Sequence, residues 1–506
     1  MEFSYVYLGV ALVSLLIVFA NRRCSAVHGG DGLRLPPGPW QLPVIGSLHH
    51  LAGQLPHRAM RDLARRHGPA MLLRLGEVPT LVVSSREGAR DVMKTHDTTF
   101  ATRPLSSTMR VITNGGRDIV FAPYGDYWRQ LRKIAVTELF TARRVLSFRA
   151  IREEEVAAVL REVGEAAAAE RPVDVEMHAL LSALVADSTV RAVMGDRCKE
   201  RDAFLRELDL SMKLAAGFNP ADLWPSSRLA VRLSGAARRA KECRDAVYRI
   251  LDGIIQEHLK RMDSGTDQDD DLLDVLLRIQ KEGGLQFPLD MDAIKSVIFD
   301  IFGAGSETAA TTLEWAMAEL IKNPKVMEKA TTEVRQAFQS HGAVSEHALS
   351  DLHYLHLVIR ETLRLHTPLP LLLPRECQEP CQVLGYDVPR GTQVLINVWA
   401  LGRDERYWPD APEEFRPERF ESEAAAADFG GNDFTFLPFG AGRRMCPGMA
   451  FGLANVELPL ASLLFHFDWE LPGRAELDMT EAFGLTARRR AKLLLRPILQ
   501  VPVPGV

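Results

Sequence analysis

Apolar and polar residues recur along most of this 506-residue chain with the spacing of amphipathic helices. Helices are predicted over Ala150–Val163 with the Ala166–Ala169 run after it, Ala236–Met262 and Leu272–Gln280. Residues Val78–Ser84 favour a strand, residues 367–397 favour short strands, and the last 40 residues alternate as strands do. No repeat and no shift in composition marks a second domain. The pattern therefore predicts one mainly α domain with a minor β portion.

The N-terminus carries a separate signal. Residues Phe3–Ala20 are apolar and uncharged, at the short end of what spans a bilayer, and Arg22 and Arg23 follow. A cleaved signal peptide is the alternative, but it would place basic residues before the run, where only Glu2 is charged. We expect a membrane anchor over 1–23, a linker with the proline-rich hinge LPPGPW over 24–46, and one globular domain over 47–506 that faces the cytosol.

Composition excludes several classes of protein. Hydrophobic residues make up 46% and charged residues 25% of the chain, as in ordinary globular proteins, so general disorder is excluded. The 61 Lys and Arg against 66 Asp and Glu give a net charge of −5 and no reason to expect nucleic acid. Six cysteines are too few for a disulfide scaffold.

One cysteine stands in an unusual context. Cys446 lies in the segment FGAGRRMCPG, whose glycines allow a tight loop and close approach to a flat ligand. Pro447 is expected at the first position of an apolar helix over 449–467, and Arg444 adds a cation. A helix N-terminus favours the thiolate, so the segment predicts a metal ligand, with a buried structural cysteine as the alternative. The other five cysteines have ordinary contexts: Cys24, Cys198, Cys243, Cys377 and Cys381.

The spacing Phe439-x-x-Gly442-x-Arg444-x-Cys446-x-Gly448 resembles the haem-binding signature of the cytochrome P-450 superfamily. Further segments in family order extend the resemblance over almost the whole chain: WRQLR at 128–132, AGSET at 304–308, ETLR at 361–364 and PERF at 417–420. The anchor and hinge resemble the microsomal branch. The details are similar to the plant A-type group, especially terpenoid oxygenases of grasses.

The resemblance implies a cytochrome P-450 fold, mainly α, behind one transmembrane helix, and a haem b whose iron is bound by Cys446. It implies that the cofactor is held by the loop residues named above and by cations and N–H donors for its propionates: Trp128, Arg132, Arg375 and Arg444. It also implies a buried structural ion triad of Glu361, Arg364 and Arg419. Glu361 and Arg364 are three apart, so on a helix they share a face.

Two residues of the AGSET segment carry the expected catalysis. Ala304 and Thr308 lie four apart, on one face of a helix. The resemblance implies that Thr308 donates or relays a hydrogen bond to dioxygen and that Glu307 relays protons from solvent. The alternative for Thr308 is a hydrogen bond back to its own helix. Pro459 departs from the family pattern and should kink or loosen the helix after Cys446.

Family positions also outline a substrate pocket, over roughly Ser106–Val120, Leu369–Leu373 and Phe483–Leu485. Its expected lining residues are Phe299, Ala304, Leu369, Leu372 and Phe483, with Phe302 adding bulk. No charged side chain is obvious at the pocket positions of the AGSET helix or in 369–373, and a buried substrate carboxylate would need a partner. We therefore expect a neutral, lipophilic substrate.

Together these implications predict an NADPH- and O2-dependent monooxygenase that hydroxylates a sesquiterpenoid or diterpenoid in plant specialised defence metabolism. The expected partners are NADPH–cytochrome P-450 reductase, met by a basic surface that includes Arg129 and Lys133, and the endoplasmic reticulum membrane. Alternatives are an indole, phenylpropanoid or other specialised metabolite as substrate, a haem-thiolate isomerase or dehydratase, and a haem-containing binding or sensing protein. Relatives without oxygen chemistry tend to lose the threonine at 308, which is present here.

Overall fold

The computed structural model describes residues 32–170, 173–195, 200–216, 218–264, 271–421, 429–473 and 476–505. The predicted anchor over 1–23, the first part of the linker over 24–31 with Cys24, and Cys198 lie outside the described residues.

Helices dominate the described chain. In order they are α1 Pro56–His67, α2 Arg86–Arg90, α3 Ser107–Ile112, α4 Asp126–Ile134, α5 Ala142–Ser147, α6 Arg149–Ala168, α7 Met177–Met194, α8 Arg201–Ala215, α9 Pro220–Leu223, α10 Arg228–Ser234, α11 Ala236–Ser264, α12 Leu272–Glu282, α13 Met291–Lys322, α14 Pro324–Phe338, α15 His353–Leu365, α16 Val398–Leu401 and α17 Met449–His466. Short turns of 3₁₀ or π geometry are Leu48–His50, Asp91–Thr95, Ala135–Leu139, Glu346–Asp351, Pro417–Phe420 and Gly442–Arg444.

Nine short strands form the β portion: β1 Ala70–Leu75, β2 Val78–Val83, β3 Val175–Glu176, β4 Arg375–Glu376, β5 Cys381–Val383, β6 Tyr386–Val388, β7 Gln393–Ile396, β8 Phe467–Glu470 and β9 Leu494–Leu499. They build a four-stranded sheet in the order β1-β2-β7-β4, a three-stranded sheet β3-β9-β8 and the hairpin β5-β6. In the first sheet β2 and β7 run parallel, and β4 pairs antiparallel with β7, so that Arg375 stands opposite Val394.

The periodicity of the sequence locates these elements well. The predicted helices are confirmed as α6, α11, α12 and α17, and the predicted strand as β2. Helix α17 runs through Pro459 without a break. Of the helices in the described residues, α17 alone is long and apolar enough to cross a membrane, and two thirds of it is buried inside the protein. Its apolar surface therefore serves the core.

The 32-residue helix α13 runs through the middle of the domain and packs against α7, α15 and α17. Asp290 caps its N-terminus by accepting a hydrogen bond from the Ala293 amide at 2.9 Å. Helix α13 is buried along most of its length, yet Ala304 is exposed. Because Ala304 faces internal cavities, this exposure marks the place where the core is open.

A fully buried ion triad fixes the chain that leads to the Cys446 loop. Arg364 Nε donates to Glu361 Oε2 at 2.7 Å, and Arg419 Nε and the Arg416 amide each donate to Glu361 Oε1 at 2.8 Å. The Glu361 and Arg364 side chains have no exposed surface. Removal of one partner from such a cluster leaves a buried charge unpaired, at a cost of about 3–5 kcal/mol. The triad therefore ties the segment around 416–419 to α15 and has a structural role.

Candidate active site

The loop that carries Cys446 is held by backbone contacts. The Cys446 amide donates to the Phe439 carbonyl at 3.0 Å, which closes the loop on itself. Gly442 has a φ of +67°, and a Cβ added there would lie 2.3 Å from the Met93 carbonyl oxygen and 2.7 Å from Asp97 Oδ1. A side chain cannot fit at this position, so glycine is required by both conformation and space.

Two details of the predicted loop are wrong. Pro447 lies in a turn, because α17 begins at Met449 and Gly448 is its N-cap. Arg444 does not act as the cation beside the sulfur. Its guanidinium turns away, stacks over the Trp128 ring at 4.2 Å and donates to backbone carbonyls, including that of Ala101 at 2.6 Å. The cation that acts on the Cys446 thiol is instead Arg132, from α4.

The Cys446 side chain opens into a cavity of about 240 Å³, which protein surrounds. Burial raises the pKa of the Cys446 thiol, while the Gly448 N–H and the Arg132 guanidinium act to lower that pKa. Ala304, Gly305 and Thr308 of α13 line the same cavity. A Cβ added at Gly305 would come no closer than 3.8 Å to its nearest neighbour, the Phe451 ring, so the α13 backbone leaves space here.

Four arginines line this cavity: Arg103, Arg132, Arg375 and Arg444. Burial lowers the pKa of the Arg103 guanidinium, and the positive charges of Arg375 and Arg444 lower the pKa further. Asp97 offsets part of this charge through ion pairs with Arg375 at 3.3 Å and with Arg443 at 3.1 Å. The cavity edge therefore carries excess buried positive charge, which an anionic ligand would offset.

The hydrogen bonds show which donors are still free. The Trp128 indole N–H donates to the Ile119 carbonyl at 3.0 Å, and Arg375 donates to the Ala441 carbonyl at 2.8 Å. Arg103 Nη1 donates to the Pro374 carbonyl at 2.9 Å, but its buried Nε has no partner. Within the described residues, no acceptor lies within hydrogen-bond distance of Arg132. Arg103 Nε and Arg132 are thus the donors that remain for a ligand.

Sequence reasoning missed Arg103. The available signal was a single arginine before proline in the otherwise uncharged run FATRPL. Nothing in that run indicates that the guanidinium turns inward to the cavity.

These residues fit a haem. A single thiol lies below a space that the α13 backbone leaves open, apolar side chains such as Leu363 and Phe451 line the walls, and unsatisfied cationic donors lie at the cavity wall. Cys446 would hold the iron, and Arg103 and Arg132 would meet the propionates.

The two expected catalytic residues of α13 lie at the cavities but already have partners. Thr308 lines the smaller cavity, and its hydroxyl donates to the Ala304 carbonyl at 2.7 Å. The hydroxyl oxygen can still accept a hydrogen bond. Glu307 lines an adjoining cavity of about 650 Å³, where its Oε1 accepts a hydrogen bond from Thr486 Oγ1 at 3.0 Å and forms an ion pair with Arg488 Nε at 3.0 Å.

The structure brings the three predicted pocket segments together. The larger cavity is lined by Phe299, Phe302, Ala304, Leu369 and Phe483. Leu372 lines the smaller cavity, with a φ of +51° that is unusual for a non-glycine residue. Phe483 is 56% exposed and meets the Phe218 ring edge-to-face at 5.6 Å.

The expectation that no charged side chain faces the pocket from the AGSET helix is wrong. Asp300 of α13 lines both cavities, and its Oδ2 accepts hydrogen bonds from the amides of Ile119 at 2.8 Å and Val120 at 2.9 Å. Burial raises the pKa of Asp300 well above its usual value, and the nearby Asp118 carboxylate raises it further. The sequence could not show that a distant segment would turn its amides toward this carboxyl. Glu307 and charged residues of α8, Asp209 and Lys213, also line the larger cavity.

Comparisons with known proteins agree with this geometry. The family model described as Cytochrome P-450 matches residues 36–495. The chain is 50% identical over 500 residues to dolabradiene monooxygenase and 48% identical over 503 residues to zealexin A1 synthase, both of Zea mays. It is 47% identical over 505 residues to desmethyl-deoxy-podophyllotoxin synthase of Sinopodophyllum hexandrum. Each comparison covers 97–98% of this chain and 97–98% of the relative.

A solved structure gives the same result for the fold. A zebra fish cytochrome P-450 with abiraterone matches at a TM-score of 0.74 and 27% identity. The match covers 88% of this chain and 99% of that one.

The unpartnered donor of Arg103 leads to a prediction. We expect Arg103→Gln to bind haem more weakly, because it removes a buried donor for a propionate, and to stabilise the haem-free protein, because it removes an uncompensated buried cation. Haem content per polypeptide and the melting temperature of the haem-free protein measure the two effects. Arg110→Gln, at an exposed arginine of α3, is the matched control. Equal haem content in both variants would contradict the role of Arg103.

Proposed function

We propose residue roles and a substrate class for this chain, which belongs to the cytochrome P-450 family and has the fold of that family. The chain is a haem-thiolate monooxygenase that obtains its electrons from NADPH through a reductase. The observation that carries the proposal is the position of Cys446 in a cavity that Thr308 also lines and that adjoins a larger, mainly apolar cavity.

The haem, when bound, supplies the activation of dioxygen and the transfer of one oxygen atom to substrate. The residues of this chain bind and orient the reactants. Cys446 provides the thiolate ligand, and Arg103, Arg132 and Arg375 balance the propionate charge. The loop residues Phe439, Gly442 and Gly448 would keep the Cys446 loop at the distance from the haem that thiolate ligation requires. This assignment is supported by the excess buried positive charge and by the space that Gly442 needs.

Thr308 and Glu307 are the proposed proton-handling pair. The Thr308 hydroxyl lies on the cavity wall and donates to the Ala304 carbonyl, so that its oxygen can accept a hydrogen bond from a water that carries the proton. Glu307 lies one residue away, at the larger cavity, where it can exchange protons with solvent. A proton would therefore pass from Glu307 toward Thr308.

The proposed substrate is a lipophilic sesquiterpenoid or diterpenoid of plant specialised defence metabolism. A cavity of about 650 Å³ lies in the usual range for small-molecule sites. The two maize relatives, whose names indicate terpenoid oxidation, support this class. The podophyllotoxin-related enzyme has nearly the same identity, so a phenylpropanoid substrate is the second candidate.

The proposed setting is the cytosolic face of the endoplasmic reticulum, with residues 1–23 as the anchor and NADPH–cytochrome P-450 reductase as the redox partner. On α4, Arg132 faces Cys446, while Arg129 and Lys133 are exposed and can contribute to a basic docking surface. Near the start of the described chain, the hinge residues Trp40 and Val44 are each 64% exposed, which suits a segment next to a lipid surface.

A turnover panel tests the substrate class. The full chain, co-expressed with a plant reductase and with sesquiterpene or diterpene synthases, should yield hydroxylated terpenoids only when NADPH and O2 are present. Indole and phenylpropanoid substrates form the comparison arm. Oxidation of the phenylpropanoids alone would contradict the terpenoid assignment, and conversion without NADPH would indicate an isomerase or dehydratase.

The role of Thr308 gives a second prediction. We expect Thr308→Ala to divert reducing equivalents to hydrogen peroxide, because the cavity loses the Thr308 hydroxyl. The amount of product formed per NADPH should therefore fall. The control is Thr311→Ala, which removes a buried hydroxyl of the same helix that does not line either cavity. An unchanged ratio of product to NADPH in Thr308→Ala would show that Thr308 has no part in proton delivery.

A further inference from the structure

The Glu307 carboxylate contacts the C-terminal segment, residues 481–488. The residues that provide this contact lie outside the AGSET motif. Thr486 Oγ1 and Arg488 Nε both reach Glu307 Oε1 at 3.0 Å. Within the described residues, Glu307 Oε2 has no hydrogen-bond donor. One oxygen is therefore restrained and the other is left free at the larger cavity, which Thr486 and Arg488 also line.

The segment that provides these two contacts is itself anchored. The Trp315 indole N–H donates to the Ala487 carbonyl at 2.8 Å, and the Ala487 amide donates to the Pro368 carbonyl at 2.9 Å. At its start, Glu481 accepts from Arg58 Nε at 2.8 Å and from His57 Nε2 at 2.9 Å. Residues 481–488 can therefore hold the Glu307 side chain in a defined position.

The ion pair contributes little to stability. The Arg488 and Glu307 side chains are 30% and 26% exposed, and pairs with such access to solvent are screened. A pair that adds little to stability and restrains one oxygen of a proposed proton carrier can act mainly on the orientation of that carboxylate.

We propose that Thr486 and Arg488 are positioning residues for oxygen activation, because they hold Glu307 Oε1 and so direct the other carboxylate oxygen, which exchanges protons between the larger cavity and Thr308. This proposal rests on the proposed function of Glu307.

Other charged groups lie close to the Glu307–Arg488 pair and contribute to the electrostatic potential around it. His178 of α7 is hydrogen-bonded to Glu314 at 3.0 Å, and this contact raises the pKa of His178. The Glu307 charge raises the same pKa, while Arg488 lowers it. Because α7, α13 and the C-terminal segment all contribute charge, the test must separate Glu307 from His178.

Arg488→Gln is the test variant, measured against Glu307→Gln, against Arg488→Lys, which keeps the charge, and against Arg490→Gln. Arg490 is exposed and lies two residues further along the chain. Its replacement by glutamine removes the same charge but no contact to Glu307. His178→Gln, alone and combined with Arg488→Gln, shows how much of a change in the measured profile comes from His178. The first readout is the pH dependence of product formed per NADPH with reductase.

The second readout needs no turnover. Infrared difference spectra of the resting holoenzyme, with the Glu307→Gln spectrum subtracted, isolate the Glu307 carboxyl band, whose frequency reports the contacts that hold this carboxyl.

We expect Arg488→Gln to lower product formed per NADPH severalfold, to change the pH profile of that ratio and to shift the Glu307 carboxyl band in the infrared spectrum, because Oε1 loses one of its two contacts. Thr486→Val should cause a smaller shift in the same direction and serves if Arg488→Gln fails to bind haem. Arg488→Lys should restore most of the effect, Arg490→Gln should match the wild type, and the shift should persist without His178.

An Arg488→Gln profile that superimposes on that of the wild type, while Glu307→Gln changes it, would overturn the positioning role and leave the role of Glu307 intact. A wild-type profile in Glu307→Gln itself would overturn both.

Discussion

The rest of the structure depends on how one thiol is held. Cys446 has to lie inside the protein and still present its sulfur to a cavity, so neither a surface loop nor a packed core position would serve. The glycine at 442 lets the loop pass against the Met93 carbonyl, and the Cys446 amide closes the loop on Phe439. The buried triad around Glu361 fixes the chain that leads into the loop. Burial raises the pKa of the thiol, so the ionised sulfur needs a compensating positive centre, which a metal ion provides.

The same cavity shows how charge is distributed around a buried ligand site. Arginines gather at its edge, where burial and the charges of its neighbours lower the pKa of Arg103, and within the described part of the chain only Asp97 forms an ion pair with one of them. On the other side, burial raises the pKa of Asp118 to about 7 and that of Asp300 well above its usual range. The result is a positive edge next to a larger cavity with a mainly apolar lining. This combination suits a flat anionic cofactor below and a lipophilic substrate above.

The sequence was sufficient for the features that local spacing encodes. Helical periodicity located α6, α11, α12 and α17, and the motif spacing identified Cys446 and Thr308, which line one cavity. It failed where a side chain meets a partner far along the chain. Arg103 turns inward from a proline-bounded turn, Asp300 captures amides of 119–120, and Arg488 reaches Glu307 from 181 residues away. Pro447 was misplaced by two residues because helix ends depend on capping geometry as well as on composition.

The most direct test of the central claim is the carbon monoxide difference spectrum of the reduced full-length protein. A haem held by the Cys446 thiolate gives the strongly red-shifted Soret band that distinguishes thiolate from histidine or water ligation. The wild type should show this band at one haem per chain, and Cys446→Ala should lose it. A wild-type spectrum without that shift, or a Cys446→Ala protein that retains it, would contradict the assignment of Cys446 as the iron ligand.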